Sequence, residues 1–209
     1  MSSGRAARPP GMTHTQQAGP AAGLMVDFIV SLDGYGAAEG WPGLWGMEGP
    51  EYLAWLDEDG GQERTLLMGA TTYRMMAEFA VGAPDDPGLA ALTAAPKVVF
   101  SSTLRAPLPW ANTELAADPV RTVQDLRREG RAMSTIGSLS LCRSLLRAGV
   151  VDCLRLVVFP VITGATGQDR IFDGYPDVAL DLVQSRVFDG RLQLLEYVPT
   201  VLDGPSGAG

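Results

Sequence analysis

Four short turns rich in glycine and hydroxyl side chains recur along this chain of 209 residues. Each follows a segment typical of a β-strand, and they span Ser31–Gly34, Gly69–Thr72, Ser101–Leu104 and Gly137–Ser140. The second and fourth turns open segments that are predicted to be helices. Small and hydroxyl residues leave backbone N–H groups free for an anion, and a helix N-terminus favours negative charge. The four turns are therefore candidates for binding an anionic ligand.

Parallel strands would bring all four turns to one edge of one sheet, which is where open α/β sheets bind nucleotides. Gly69–Thr72 and Gly137–Ser140 would then hold a pyrophosphate, and Ser101–Leu104 would line the adenosine end. Taken singly, each turn is better explained as a helix cap or a chain reversal, and it is the four together that favour a cofactor site. The predicted cofactor-binding residues are Val30, Gly69, Thr71, Thr72, Ser101, Ser102, Thr103, Leu104, Ile136, Gly137, Ser138, Leu139 and Ser140.

The composition narrows the class of protein. The chain is 46% hydrophobic and 19% charged, with a net charge of −8, which is typical of a globular domain and argues against a nucleic-acid partner. No apolar run reaches transmembrane length, so no membrane partner is expected. The only histidine, His14, lies in the N-terminal tail, which excludes a catalytic triad and a histidine-based metal site from the folded part. Cys142 and Cys153 are predicted to be buried thiols in a reducing, cytoplasmic compartment.

The order of the elements predicts a single α/β domain over residues 23–200, between a disordered tail (1–22) and a flexible tail (201–209). Strands and helices alternate first, and a hairpin around Asp189-Gly190 follows, because this dipeptide is a strong turn signal. We therefore predict a single mostly parallel central sheet flanked by helices, with a C-terminal antiparallel hairpin. The predicted strands are Leu24–Leu32, Thr65–Met68, Lys97–Phe100, Thr113–Leu115, Ala132–Ile136, Cys153–Ile162, Val178–Phe188 and Arg191–Val198. The predicted helices are Pro50–Asp59, Thr71–Phe79, Pro119–Glu129 and Leu139–Ala148.

The turns also resemble those of a known family. Met68–Tyr73 resembles the Met-Gly-Arg-x-Thr-Trp/Tyr segment of dihydrofolate reductases, and Val99–Ser102 and Thr135–Ser138 resemble two further turns of those enzymes. The resemblance is closer to the reductase domain of bacterial riboflavin biosynthesis and its stand-alone relatives. It is carried by the Ser-Leu-Asp-Gly turn at Ser31 and by Val151–Leu156, Pro160–Gly164 and Ile171-Phe172. Order and spacing agree over Leu24–Tyr197.

This resemblance implies a dihydrofolate-reductase-like fold and a homodimer. It also implies a reductase that transfers hydride from NADPH, or from NADH, to a small C=N or C=O substrate, with pterin- and pyrimidine-like compounds as candidates. The first turn would face the nicotinamide end of the cofactor. Asp33 would there touch the substrate and relay a proton; alternatively it is a turn residue that accepts hydrogen bonds from the backbone.

Two positions depart from the dihydrofolate reductase pattern. Tyr52 occupies the helix position of the acid that anchors the pterin, and Glu51 points about 100° away from it. Ala70 stands where relatives often place an arginine that binds the 2′-phosphate of NADPH. The chain is therefore not expected to be a true dihydrofolate reductase, and Arg74, Arg105 or Arg121 would have to supply the missing cation.

The predicted substrate contacts are Ser31, Gly34, Trp45, Glu51 and Tyr52. Trp45 lies in a long glycine-rich loop, Asp33–Gly49, where an aromatic side chain can wall a flat ligand. Glu51 is either a substrate anchor or an acid favoured by the helix dipole. The alternative to an enzyme is a non-catalytic nucleotide-binding or structural protein that kept the fold.

Overall fold

The computed structural model describes residues 23–40 and 45–202. Ten strands and five α-helices are found in this part of the chain. Eight strands form one sheet in the order β5-β4-β3-β6-β1-β7-β10-β9, and β2 pairs with β8 in a separate small sheet. The strands are β1 Leu24–Ser31, β2 Tyr35–Ala38, β3 Thr65–Gly69, β4 Lys97–Phe100, β5 Thr113–Ala116, β6 Met133–Thr135, β7 Cys153–Phe159, β8 Gly167–Arg170, β9 Val178–Phe188 and β10 Leu192–Val201. The helices are α1 Pro50–Gly60, α2 Ala70–Gly82, α3 Pro87–Ala94, α4 Pro119–Arg128 and α5 Leu139–Arg147.

Six neighbouring strands of the large sheet, β5, β4, β3, β6, β1 and β7, run parallel. Strand β10 then pairs antiparallel with both β7 and β9. Asp189 and Gly190 form the hairpin turn, and both take the left-handed conformation that tight hairpin turns need. The predicted fold class, a mostly parallel sheet completed by an antiparallel hairpin, is confirmed.

Helices cover both faces of the sheet. Alternate strand residues point to opposite faces, so the contacts of successive β1 residues show which helices cover each face of the sheet. Leu24, Val26, Phe28 and Val30 lie in one continuous core with α4 and α5. On the opposite face, which we call the first face, α1 and α2 pack through Tyr52 and Tyr73. None of the helices in the described ranges is long and apolar enough to span a membrane.

Four elements differ from the sequence prediction. Strands β2 and β8 form a two-stranded sheet where no strand was expected, since four-residue strands give almost no alternation to detect. Helix α3 lies between the predicted helix Thr71–Phe79 and the predicted strand Lys97–Phe100, where no element was expected, because its small residues give little amphipathic signal. Strand β10 continues to Val201, opposite Val178, so the sheet includes the first residue of the predicted C-terminal tail. The two predicted tails otherwise lie outside the described residues, as does Trp41.

The start of α1 is held by the hairpin turn. The Asp189 carboxylate accepts hydrogen bonds from the backbone N–H groups of Glu51 (3.0 Å) and Tyr52 (3.1 Å). In return, the Glu51 carboxylate accepts from the N–H of Asp189 at 2.7 Å. A side chain at Gly49 would place its Cβ 2.2 Å from the Asp189 carboxyl carbon, so glycine is required there. An acid far away in sequence thus caps this helix.

Replacing Asp189 with Ala should lower the free energy of unfolding by about 1–2 kcal/mol, because two helix N–H groups lose their acceptor. Alanine also tolerates the left-handed conformation of this residue poorly. Asp189→Asn is the matched control, since asparagine adopts that conformation and keeps an acceptor oxygen. Urea unfolding of the three proteins measures the difference. Equal stability of the alanine variant and the parent would show that the cap contributes nothing.

Candidate functional site

The four turns lie along one edge of the large sheet. Strands β1, β3, β4 and β6 run parallel, and they end at Ser31, Gly69, Phe100 and Thr135. Each turn begins at, or within two residues of, the carboxyl end of its strand. The geometry expected from the sequence, with all four turns on one rim, is therefore present.

Two of the turns are joined directly by the Ser138 hydroxyl. Its oxygen accepts a hydrogen bond from the N–H of Gly69 at 2.8 Å and lies 2.8 Å from the Thr72 hydroxyl oxygen. Gly137 and Ser138 are both left-handed, with φ of +49° and +64°. A serine in this conformation is strained, and such strain is often found at binding sites. The two turns thus form one rigid unit above β3 and β6.

The helix N-termini in this unit carry no side-chain cap. Neither Gly69, which precedes α2, nor Ser138, which precedes α5, accepts from its own helix through a side chain. By contrast, α3 and α4 are capped by Asp86 and Asp118. Uncapped N–H groups keep their partial positive charge available to an external anion. Two such ends stand side by side at the rim.

The third turn is built differently. The Ser101 hydroxyl oxygen accepts from the N–H groups of Thr103 (3.1 Å) and Leu104 (3.0 Å), so it stabilises its own turn. Ser102 and Thr103 are exposed. The exposed Arg105 folds over this turn and donates to the carbonyls of Ser102 (3.2 Å) and Leu104 (3.0 Å). A guanidinium group is therefore held at this part of the rim.

Several predicted cofactor contacts have apolar side chains that are buried or packed against the core. The side chain of Val30 is buried in the core, and those of Leu104, Ile136 and Leu139 pack against core clusters. Thr71 and Ser140 are exposed at the first turns of α2 and α5, and Thr72 is buried beneath them. The rim therefore presents mainly backbone groups and hydroxyls.

Asp33 ties the first turn to the loop after β7. Its carboxylate accepts hydrogen bonds from the Ser31 hydroxyl (2.7 Å) and from the N–H groups of Thr163 (3.2 Å) and Gly164 (2.9 Å). These hydrogen bonds, with that of Ser31 the strongest, lower the pKa of Asp33 to about 2. The carboxyl is ionised at neutral pH, so this geometry suits the turn interpretation and an orienting role better than proton donation.

The predicted substrate residues do not form one exposed wall. Trp45 is only 8% exposed and its ring lies 5.5 Å from that of Phe159, while Tyr52 is fully buried beside Phe188. This corrects the expected picture of aromatic rings open to a ligand, because both rings fill the core beneath α1. Glu51 is engaged with the hairpin turn. Ser31 is buried, and Gly34 takes a left-handed φ of +88° at the rim.

A buried charge cluster on the first face was missed from the sequence. The Arg155 guanidinium donates to Glu196 (2.8 Å) and Asp59 (2.9 Å) and lies 3.6 Å from Asp27. Arg64 pairs with the same Asp59 at 2.8 Å. Burial opposes the charge of Arg155, but the surrounding carboxylates outweigh burial and raise its pKa. The signal available in the sequence was a charged residue inside each of two apolar strands, β1 and β7.

Asp27 has the weakest contact with the arginines of this cluster, because it lies 3.6 Å from Arg155 and accepts no hydrogen bond from it. Burial raises its pKa to about 6, although the nearby Arg155 opposes the shift. Asp59 shows the reverse balance, because hydrogen bonds from Arg64 and Arg155 outweigh its burial and lower its pKa. Over residues 23–40 and 45–202, no group of three or more His, Cys, Asp or Glu side chains is arranged to hold a metal ion.

Comparison with known proteins identifies related families and folds. The family model described as the RibD C-terminal domain matches residues 22–194. The chain is similar to the crystal structure of a proposed riboflavin biosynthesis protein from Shewanella sp. PV-4, with a TM-score of 0.65 and 21% identity, over 85% of this chain and 99% of that one. It is also similar to a pyrimidine reductase-like protein from Corynebacterium diphtheriae, with a TM-score of 0.58 and 16% identity, covering 85% and 92%.

Dihydrofolate reductase from Enterococcus faecalis, solved with NADP(H), has the same fold, with a TM-score of 0.55 and 13% identity, covering 88% of this chain and 99% of that one. At these identities the likeness shows the fold. A comparison with curated protein sequences finds no significant match.

The Asp33 tether predicts a specific dependence of stability on pH. Its pKa falls from 3.8 to about 2 on folding, so its contribution is fully present above pH 4 and is lost as the pH falls towards 2. Asp33→Asn should therefore lower the urea midpoint at pH 5, and the gap to the parent should narrow at pH 3. Asp85→Asn, at an exposed loop position, is the control. A gap of equal size at both pH values would contradict the assigned hydrogen bonds.

Proposed function

The chain belongs to the RibD C-terminal domain family, and from this we propose that it is a pyridine-nucleotide-dependent reductase. It would transfer hydride to a small C=N or C=O substrate, with pyrimidine- and pterin-like compounds as candidates. NADPH is the expected cofactor and NADH the alternative. The Enterococcus faecalis relative was solved with NADP(H), which supports the choice of cofactor class.

One observation carries this proposal, namely the paired, uncapped helix N-termini at the rim. The Ser138 hydroxyl fixes the β3–α2 and β6–α5 turns together. Their N–H groups and the positive ends of two helices therefore converge on one region. A dinucleotide pyrophosphate is the kind of ligand that fits such a pair of helix ends.

The residues of the chain would act mainly by alignment. When bound, the reduced cofactor supplies a hydride, and the substrate nitrogen or oxygen gains a proton. The tether from Asp33 to Thr163 and Gly164 fixes the first turn beside this reaction. Because Asp33 is ionised at neutral pH, it would orient the substrate, and the proton would come from water or another group. Holding donor and acceptor in register accounts for much of the rate enhancement in such a reaction.

Preference for NADPH would depend on Arg105. Ala70 cannot pair with a 2′-phosphate, but the Arg105 guanidinium is held on the third turn, where the adenosine end is predicted to lie. Arg121 is a second candidate, in the first turn of α4 after the neighbouring strand β5. Arg105→Ala should weaken NADPH binding more than NADH binding if the guanidinium contacts the phosphate.

Binding and turnover separate the reductase from a non-catalytic nucleotide-binding protein. Quenching of tryptophan fluorescence by NADPH and by NADH reports binding. Loss of the near-ultraviolet absorbance of the reduced nicotinamide with pterins, flavin precursors or simple imines reports oxidation. Binding followed by oxidation supports the reductase. Binding without oxidation by any of these compounds favours the non-catalytic protein, and absence of binding eliminates both.

The pyrophosphate site can be tested with one change of charge. Ser138→Asp should weaken NADPH binding about tenfold or more relative to Ser138→Asn, since about 1–4 kcal/mol of repulsion is expected between charges 4 Å apart near a surface. Both side chains tolerate the left-handed conformation and can accept from Gly69, so the two variants differ mainly in charge. Thermal melting checks that both fold. Equal NADPH affinities of the two variants would show that no anionic group of the cofactor binds beside residue 138.

We further propose a cytoplasmic homodimer. Two buried free thiols, Cys142 and Cys153, suit a reducing compartment. The dimer is favoured by β9, an eleven-residue strand at one edge of the large sheet. Leu180, Leu182 and Val187 are exposed on it. A long apolar edge strand is normally covered by a partner, because it otherwise aggregates.

Leu182→Glu should convert the dimer to a monomer, because it places a charge in the buried contact. Leu53→Glu is the control, since Leu53 on α1 is similarly exposed, at 46% against 57% for Leu182. Sedimentation velocity gives the masses. A dimer that survives Leu182→Glu would place the interface elsewhere, and a monomeric parent would eliminate the dimer.

A further inference from the structure

Asp27 lies on the sheet face that α1 covers, in the middle of β1. It alternates with the core residues Val26 and Phe28, so its side chain points to the same face as Ile29. The side chain sits deep among protein atoms and yet keeps 29% of its surface exposed. A carboxylate so placed can be reached by a ligand.

The packing of this face explains the opening. Its apolar side chains form two separate clusters, whereas the opposite face has one continuous core. One cluster lies beneath α1 and includes Tyr52 and Phe159. The other lies beneath α2 and includes Met68 and Tyr73. Strand β6 and the part of β1 around Asp27 contribute no side chain to either cluster on this face, although Ile29 of β1 packs against the first. Asp27 therefore lies on the floor of the gap that separates the two clusters.

The neighbouring charges leave the Asp27 carboxylate with one long ion pair, to Arg155, and no hydrogen bond. Arg155 donates to Asp59 and Glu196, and Arg64 also binds Asp59. Asp27 is 3.6 Å from Arg155 and, within the part of the chain that the structure describes, its carboxylate accepts no hydrogen bond. Two guanidinium groups thus face three carboxylates, and Asp27 is the carboxylate with the longest and weakest contact to them.

A second unsatisfied group belongs to the same region. The Tyr52 side chain is fully buried, and its hydroxyl has no hydrogen-bond partner among the described residues. Burial raises the pKa of Tyr52, and the charge of Asp27 raises it further. One oxygen of Glu48 is also buried without a partner and adds to this negative field. Most buried polar groups have a hydrogen-bond partner, so two unpaired oxygens in one region mark it as unusually polar for its depth.

We propose that Asp27 determines the specificity of the proposed reductase by binding a cationic, N–H-bearing group of the substrate, such as an amidinium or a protonated aminoheterocycle. This inference rests on the proposed function. Asp27 lies four residues before Ser31, roughly 13 Å from the rim at about 3.3 Å per strand residue. Phosphate and carboxylate groups are excluded from the floor of the gap by charge.

Three planar probes of nearly the same shape test this assignment. Benzamidine is cationic, benzamide neutral and benzoate anionic. Isothermal titration calorimetry in the presence of NADPH should show benzamidine bound at least tenfold more tightly than either of the others. Asp27→Asn should abolish that preference, and Glu114→Gln, at an exposed site on β5, should leave it intact. Equal binding of the three probes by the parent, or an unchanged preference in Asp27→Asn, would overturn the assignment.

The pH profile of the unmodified protein gives a test that needs no variant. The amidinium stays charged from pH 5 to 8, whereas Asp27, with a pKa of about 6, gains a proton as the pH falls. Benzamidine binding should therefore weaken below about pH 6. The charged or titratable groups that act on Asp27 are Arg155, Asp59, Arg64, Glu196 and Tyr52. A flat profile would contradict the role of Asp27.

The two proposals fail in different ways. Tryptophan quenching by NADPH without the probes tests the nucleotide rim, which does not include Asp27. If the parent protein does not bind NADPH, the reductase proposal is overturned. The probe preference then tests the binding of a cation by Asp27 alone. Normal NADPH binding by Asp27→Asn, together with loss of the benzamidine preference, is the result expected if both proposals hold.

Discussion

A single hydroxyl group, that of Ser138, joins the two turns on which the candidate nucleotide site depends. It reaches Gly69 and Thr72 because β6 lies directly beside β3 in the sheet. This contact fixes the relative position of α2 and α5 and holds a strained left-handed residue at the start of α5. With the serine side chain engaged between the turns, the helix N–H groups are left available. The anion-binding capacity of the rim is thus a consequence of how two neighbouring strands end.

Acidic side chains have different structural roles in this protein, which depend on their position in the fold. Asp86 and Asp118 cap the helices that they precede, and Asp189 caps α1 from a hairpin turn far along the chain. Asp33 fastens two loops at the rim, and its hydrogen bonds hold it ionised. Asp27 has only the Arg155 guanidinium nearby, at 3.6 Å and without a hydrogen bond, so its charge is less stabilised than that of Asp59. The number of hydrogen-bond donors in reach, more than burial alone, separates a structural carboxylate from one open to a ligand.

The two faces of the sheet are packed unequally, and this inequality places the candidate substrate site. Helices α4 and α5 cover one face with a continuous core, while the first face has two clusters with polar floor residues between them. The rim turns lie at the carboxyl end of the same gap. A ligand bound there would meet the nucleotide at the rim and the Asp27 carboxylate further along β1, which links the two sites through one strand.

The sequence by itself determined the alternation of strands and helices, the parallel sheet with its terminal hairpin, and the four rim turns. These follow from local properties: hydrophobic periodicity, the Asp189-Gly190 turn, and small residues after buried strands. Helix α3 and strands β2 and β8 were not predicted, because they are short and their hydrophobic periodicity is weak. Only the tertiary structure decided that Trp45 and Tyr52 are core residues and that Asp27 faces Arg155. Strand register and helix docking bring together residues more than a hundred positions apart, and no local pattern encodes such a pairing.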